Sequence, residues 1–572
     1  MMTWTPPAGA EWFGRLRRVV PVLLALVVLA SCTSLPSSGP VNSAGEISSD
    51  EAPPLVDIGV QRPQPGANER EIALGFVLGM RTYAPGYATA REFLEPAAAE
   101  NWNPEAGITV FEDTQPTVER EGEGSVRMTF NTIGEVDASG NYTPVDSETP
   151  STVSLSLVAV NDEWRIVDPP PGLLMSEGDF RREYEMHNRY FFAGDGQSLV
   201  PDPVYLPRSG SVSTLLVESL LAGPSDDLQP AVQTSFPQGT ALDSGVSLSE
   251  RTAVLDLTAG VEQAPNERRE RMFAQLVWTL STVSEVEEVR ATVGGQPMLT
   301  DIAGGSDIAP FRGLDPLATL STDPLVARGA NGLVDVEADM SPVPGPLGEQ
   351  SGITDVALSH DGQRAAAVVG GNRIVAADLA GGGEAAQLHT GDELTSPSWD
   401  RTGRLWFVEG GSTLTTVTPG QSPVTVPVGG PGTGAPEIGR IAVSPDGARI
   451  AMVVDGTVMV GAIGVNADGA VTRVDSLVPL GPEASDGLDV AWYGASDVVA
   501  LVAEGDGSTR PYQLSIAGLE QVPRQPVDGG ERITAAADQR LVVGDADGRL
   551  FGLGSVGSWE SLARAYHPAF PG

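Results

Sequence analysis

Two stretches of this chain, ITDVALSHDGQRAAAVVGG at 353–371 and IGRIAVSPDGARIAMVVDG at 438–456, are copies of one pattern. In each, a hydrophobic strand runs into Ser-x-Asp-Gly and out into a second hydrophobic strand. An Asp there bonds its own turn backbone, and the Gly supplies the positive φ that joins the strands. Weaker copies are LTSPSWDRTGRLWFVEGG (394–411), LDVAWYGASDVVALVAEG (488–505) and ITAAADQRLVVGDADG (533–548). Their starts at 353, 394, 438, 488 and 533 lie 41, 44, 50 and 45 residues apart. That is the length of one four-stranded blade, so the spacing predicts an all-β propeller over about 312–572. We expect about six blades, five and seven remaining open. LATLSTDPLVARGANGLVDVEA before the first copy and SWESLARAYHPAFPG after the last are suited to share a closing blade.

The propeller leaves more than half of the 572 residues unexplained, and a length prior of ~150 residues per domain implies three or four units. All 34 basic residues are Arg, and without Lys there is no Walker A loop, Schiff-base lysine or Ser-x-x-Lys acyl-enzyme. The net charge of −41 argues against a nucleic-acid partner, because phosphate backbones and this surface repel. The same repulsion applies at an anionic membrane, so membrane association requires an anchor. A single cysteine, Cys32, rules out an internal disulfide.

Cys32 sits in RLRRVVPVLLALVVLASCTSLPSSGP. Arg15, Arg17 and Arg18 form a positive leader, followed by an apolar run from Val19 to Ala30 broken only by Pro21. That run is too short to span a bilayer as a helix but fits a signal-peptide core. A short buried helix is a poorer reading, since it would start on three arginines and end in a Ser- and Pro-rich tail. Leu29-Ala30-Ser31-Cys32 resembles the bacterial lipobox. The resemblance implies diacylglyceryl transfer to the Cys32 thiol, cleavage between Ser31 and Cys32, and acylation of the new amine. Several acyl chains give stable anchoring at ~0.8 kcal/mol per buried CH₂. Residues 1–31 are then a signal peptide, and their loss leaves 31 Arg against 74 carboxylates, a net charge of −43. The expected location is the cell membrane, lipid-anchored on its extracytoplasmic face.

Residues 32–68, rich in Ser, Pro and Gly, read as a flexible tether. From 69 to 187 we expect an α+β domain. Ile72, Phe76, Val77, Met80 and Tyr83 have helical spacing, YATAREFLEPAAAENW offers a second helix, and GITVFED, SVRMTFNTIGEV, STVSLSLVAV and EWRIVDPP read as strands. This layout is similar to the nuclear-transport-factor-like cone, or cystatin-like, fold. From 188 to 302 the order is helix VSTLLVESLLAGP, FPQGTAL, strand TAVLDL, helix NERRERMFAQLVWTLSTV and strand VEEVRATVGG. It resembles the GerMN domain, also α+β, which implies binding or docking and carries no catalytic constellation. The S-x-D-G pattern of the propeller resembles TolB-type propellers, whose usual work is protein or ligand binding.

No catalytic residues, metal ligands or cofactors are expected. His187, His360, His389 and His567 lie in separate segments, none with a second His at ligand spacing, and His360 occupies a turn position filled by Pro445 in the sister copy. Gly552-Leu-Gly554-Ser-Val-Gly557 matches a dinucleotide fingerprint by letters, but no helix pattern follows. Asp545-Ala-Asp547-Gly and Asn466-Ala-Asp468-Gly lack the Glu and flanking helices of a calcium loop and read as hairpin turns. Glu285, Glu287 and Glu288 read as solvated surface beside Val286 and Val289.

The order of lipobox, tether, two α+β domains and propeller, with AREFL, DPPPGLL, YLPRSG and LLAGPS along it, closely resembles the LpqB lipoprotein family. The resemblance implies an envelope lipoprotein that works beside the MtrA–MtrB two-component system, binds the extracytoplasmic part of the sensor histidine kinase, and affects cell division and envelope homeostasis. The alternative is a protein that binds cell-wall components or a small ligand through the propeller mouth or the N-terminal cone. A hydrolase would need a clustered Asp/Glu/His site. Cys32→Ala should release or mislocalise the protein while its domains stay folded. Fractionation with circular dichroism checks this, and loss of folding would refute the lipid-anchor reading.

Overall fold

The computed structural model describes residues 62–572 apart from 146–149, 303, 319–323, 382, 430–435, 467, 482–484 and 506. Ser31, Cys32, the signal segment and most of the tether lie outside the described residues. Val60–Gly572 forms one compact unit.

The first helix, α1 (Glu69–Leu78), starts where Asn68 and Glu71 exchange side-chain-to-backbone bonds of 3.1 and 2.8 Å, a capping box. It buries Ile72, Phe76 and Val77, and Gly75 has to be Gly, since a Cβ there would lie 2.2 Å from the Phe93 ring. The second helix expected from YATAREFLEPAAAENW is two short ones, Ala88–Arg91 and Pro96–Asn101. Pro96 pushes Glu95 out of the helical region, and the intervening chain bonds instead to Ile166 of a sheet edge (Glu95 N–H to Ile166 O, 2.8 Å; Ile166 N–H to Phe93 O, 3.0 Å). SVRMTFNTIGEV likewise divides, at Asn131, into Ser125–Phe130 and Thr132–Asp137. Each half belongs to a different four-stranded sheet, so this region is α+β with two sheets. Leu155 and Leu157 face inward from Ser151–Val160, with serines opposite.

The continuous strand Tyr184–Ala193 leads into the second region and pairs antiparallel with Leu199–Pro207. Helix α2 (Val212–Ala222) buries Leu216, Val217 and Leu220 and stops at Gly223, whose φ of 111° is open to glycine alone. Helix α3 (Asn266–Leu280) buries Met272, Phe273, Leu276, Val277 and Leu280 and crosses over between the parallel strands Thr252–Leu257 and Glu288–Val293. Arg189 and Asp202, directly opposite in the strand pair, form an ion pair of 2.8 Å with both side chains almost wholly buried. Arg189 also donates to Ser219 on α2 (3.0 Å) and to Asn141 of the first region (2.8 Å).

The remainder forms six antiparallel sheets among the described residues. Innermost strands Ile353–Leu358, Thr395–Trp399, Ile438–Val443, Gly487–Trp492 and Gly530–Ala535 open the second to sixth blades. The first blade is composite: Val326–Arg328, Leu333–Asp335 and Ser341–Pro342 accept Tyr566–Ala569 as their innermost strand. Neighbouring innermost strands touch all the way round, Tyr566–Ala569 meeting both Gly530–Ala535 and Ile353–Leu358. The ring is thus six blades closed by pairing both ends of the region.

The three regions interlock. Arg181 donates to Leu519 O of the fifth blade (3.0 Å), while Ala517 and Leu519 join the apolar cluster of Phe180 and Tyr205. Arg449 of the fourth blade, buried, donates to Pro201 O (2.8 Å), and Ser198 donates to Asp446 O (3.3 Å).

Arg189→Met should destabilise the protein by about 3–5 kcal/mol in urea titrations, because it strands a buried Asp202 charge. Arg251→Met, which removes the exposed pair with Glu287, should change stability by about 1 kcal/mol or less.

Candidate functional site

Every innermost strand of the propeller is irregular at the same place. The pairing register shifts between Ile353 and Asp355, Thr395 and Ser398, Ile438 and Arg440, Gly487 and Asp489, and Gly530 and Arg532. The first blade shifts opposite His567 and Pro568. A bulge re-aims a side chain, and these bulges line the channel with Asp355, Ser396, Arg440, Asp489, Arg532 and His567. Ser396 (φ 51°) and His567 (φ 49°) are held in the left-handed region, backbone strain concentrated at one site.

The groups join across blades. Arg440 donates to Asp355 (2.6 Å) and lies 3.9 Å from Asp489. Asp355 also accepts from the Ser396 amide (3.1 Å), and Asp489 from the Ile533 amide (2.9 Å). Ser396 exchanges bonds with the Ile441 backbone, and Thr534 accepts from the Phe570 amide. Burial outweighs the neighbouring Arg440 and pushes the Asp489 carboxyl up to about 6. For Arg440, the two carboxylates overcome burial and hold the guanidinium charged. Burial lowers the His567 pKa, with Asp355, 4.0 Å away, opposing. The space between these groups is about 120 Å³, enough for a few waters. Arg440, Asp355, Asp489, Ser396 and Thr534 thus tie blade to blade across the channel.

A larger cavity, about 690 Å³, lies where the first region meets the second. Its lining includes Tyr83, Tyr87 and Tyr184 from the first region and its outgoing strand, with Glu218 and Ser219 of α2 on the other side. The Tyr87 and Tyr184 hydroxyls are 3.0 Å apart, and Tyr83 meets Tyr87 edge-on at 6.1 Å. Burial first, opposed by the Tyr87 hydrogen bond and aided by Tyr83, Glu183 and Glu105, raises the Tyr184 phenol to about 12.

The remaining sequence candidates stay apart. His187 is buried on Tyr184–Ala193; His389 is 3.3 Å from Glu409; His360 is buried in its turn, where desolvation and then Arg401 push its pKa down to about 4. Among the described residues, no group of three His, Cys, Asp or Glu is placed to hold a metal. Gly552–Gly557 belongs to a hairpin between Arg549–Leu553 and Trp559–Arg564. Asp545 accepts from the Arg549 backbone and side chain, and Asn466 from the Asp468 and Ala470 amides, so both are turns. Glu285, Glu287 and Glu288 are exposed.

Sequence reasoning missed the channel ring and the buried turn. The ring was findable in part, because Asp355, Ser396 and Arg440 are each the third residue of their repeat copy. The two Ser-x-Asp-Gly turns share their bonds: Asp361 and Asp446 each accept from the Ser hydroxyl and from the amide two residues on, with Gly362 and Gly447 at φ 67° and 74°. Yet Asp361 faces solvent, while Ser444, Asp446, Ala448 and Arg449 are buried against the second region.

Residues 62–181 match the profile described as "Lipoprotein LpqB, N-terminal domain", 188–299 match "Sporulation and spore germination", and 331–571 match "Lipoprotein LpqB beta-propeller domain". Among curated relatives, Lipoprotein LpqB of Thermobifida fusca is 28% identical over 98% of this chain and 99% of its own. That of Mycobacterium tuberculosis is 29% identical over 78% and 80%. Lipoprotein LpqB of Streptomyces coelicolor is 30% identical over 96% of both chains, and with this agreement along the two α+β regions and the propeller the chain belongs to the LpqB lipoprotein family.

Proposed function

We propose that this chain is anchored by lipid on Cys32 at the extracytoplasmic face of the cell membrane, where it is a non-catalytic partner of a sensor histidine kinase of the MtrA–MtrB type. The lipobox at Leu29–Cys32 and the lipoprotein family support the anchor. Among the described residues no helix is long and apolar enough to cross a membrane.

The observation that carries the partner reading is the interlock of all three regions. Arg449, Ser198 and Arg181 join the propeller to both α+β regions, and in the channel Arg440 is engaged with Asp355 and Asp489. Such a body presents a pre-formed surface and binds without a large ordering cost. A second reading, cell-wall or small-ligand binding, draws support from the 690 Å³ cavity.

The lipidated protein should co-purify with the kinase's extracytoplasmic domain, and its deletion should change kinase output. No enrichment together with unchanged output would refute the kinase reading. Direct binding of purified peptidoglycan fragments without kinase contact would favour the second.

A further inference from the structure

The cavity between the first two regions has a composition that selects its ligand. Its floor is aromatic, from Tyr83, Tyr87 and Tyr184. Around it stand four exposed carboxylates, Glu105, Asp137, Glu218 and Asp226, contributed by both regions. The one cationic side chain in the lining, Arg189, is already neutralised by Asp202 at 2.8 Å and held by Asn141 and Ser219.

Helix α2 adds a field of the same sign. Its C-terminal turn, with Glu218, Ser219 and Ala222, borders the cavity, and no basic residue stands in that turn. The negative end of the helix dipole therefore meets the same space. Tyr87 is buried in this floor, at φ 50°, ψ 53°. Its hydroxyl lies 3.0 Å from that of Tyr184.

We propose that this cavity binds an organic cation, an ammonium or guanidinium head on a partly apolar stem. The head lies among the carboxylates, and the stem and charge rest on the tyrosine faces, where a desolvated cation is attracted by the ring quadrupole. The volume suits a molecule of drug size or a short peptide side-chain segment. The inference stands apart from the kinase reading and is tested without a kinase.

The test is calorimetric titration of the purified full-length lipoprotein in detergent with two probes: spermidine, a free polyamine, and the tripeptide Gly-Arg-Gly, a peptide guanidinium. At least one should bind saturably at one site per chain, and the tighter identifies the source of the cation. E105Q/E218Q/D226N should weaken that binding by at least about tenfold, and Tyr83→Leu, which leaves the charge unchanged, by about three- to thirtyfold. E285Q/E287Q/E288Q removes the same number of carboxylates from an exposed segment elsewhere and should leave binding unchanged. Equal losses in the two triple variants would show adsorption to a general acidic surface and overturn the proposal. Failure of both probes to saturate, or indifference to Tyr83→Leu, would overturn it equally. Circular dichroism of each variant separates lost binding from lost fold.

Discussion

Six blades around an axis leave a channel walled by strand backbone, and the polar groups turned into it need partners. Here Arg440 supplies them from one blade to two others, bonding Asp355 and approaching Asp489. Each of those carboxylates also accepts a backbone amide from the blade after its own, Ser396 and Ile533. A buried guanidinium is costly alone, as is either buried carboxylate, so the three stabilise the ring only as a set. The apolar clusters between blades provide non-directional attraction, whereas the channel ties have direction and define which strand faces which.

A second tier of buried charge unites the regions. Arg189 with Asp202 lies inside the strand pair of the middle region, and Arg449 reaches into it from the propeller to the Pro201 carbonyl, one residue from Asp202. The polar contacts across these boundaries are therefore continuous with the interior of the middle region. That continuity fits a protein whose surface acts as one piece.

What could be read beforehand was whatever local chemistry determines. The Ser-x-Asp-Gly turns, the alternation of Thr252–Leu257 and the apolar stripe of α3 need only neighbours a few residues away. The expected long helix around Arg91 failed on a local rule too, since Pro96 expels the residue before it, but its destination, the edge at Ile166, is a tertiary choice. Arg440 and Asp355 are 85 residues apart, so the spacing of a repeat can place them on one ring but cannot pair them. The turns at 359–362 and 444–447 share their Ser, Asp and Gly and their bonds, and differ at His360 against Pro445 and in what packs on them. Nothing local distinguishes a solvated turn from one buried at an interface. Tyr87 carries no sequence mark of its conformation for the same reason.

The composite first blade also has a temporal meaning. Val326–Arg328, Leu333–Asp335 and Ser341–Pro342 are made first within the propeller, yet their innermost partner Tyr566–Ala569 arrives only after five other blades have been made. At ~5–20 residues per second the wait is long compared with hairpin formation. Through that interval the growing arc has two unmatched flanks, each with strand edges open to any neighbouring chain. Quality control on such a molecule acts naturally at the ring seam: a chain cut short of Tyr566 keeps an open seam, whatever the quality of the blades already built.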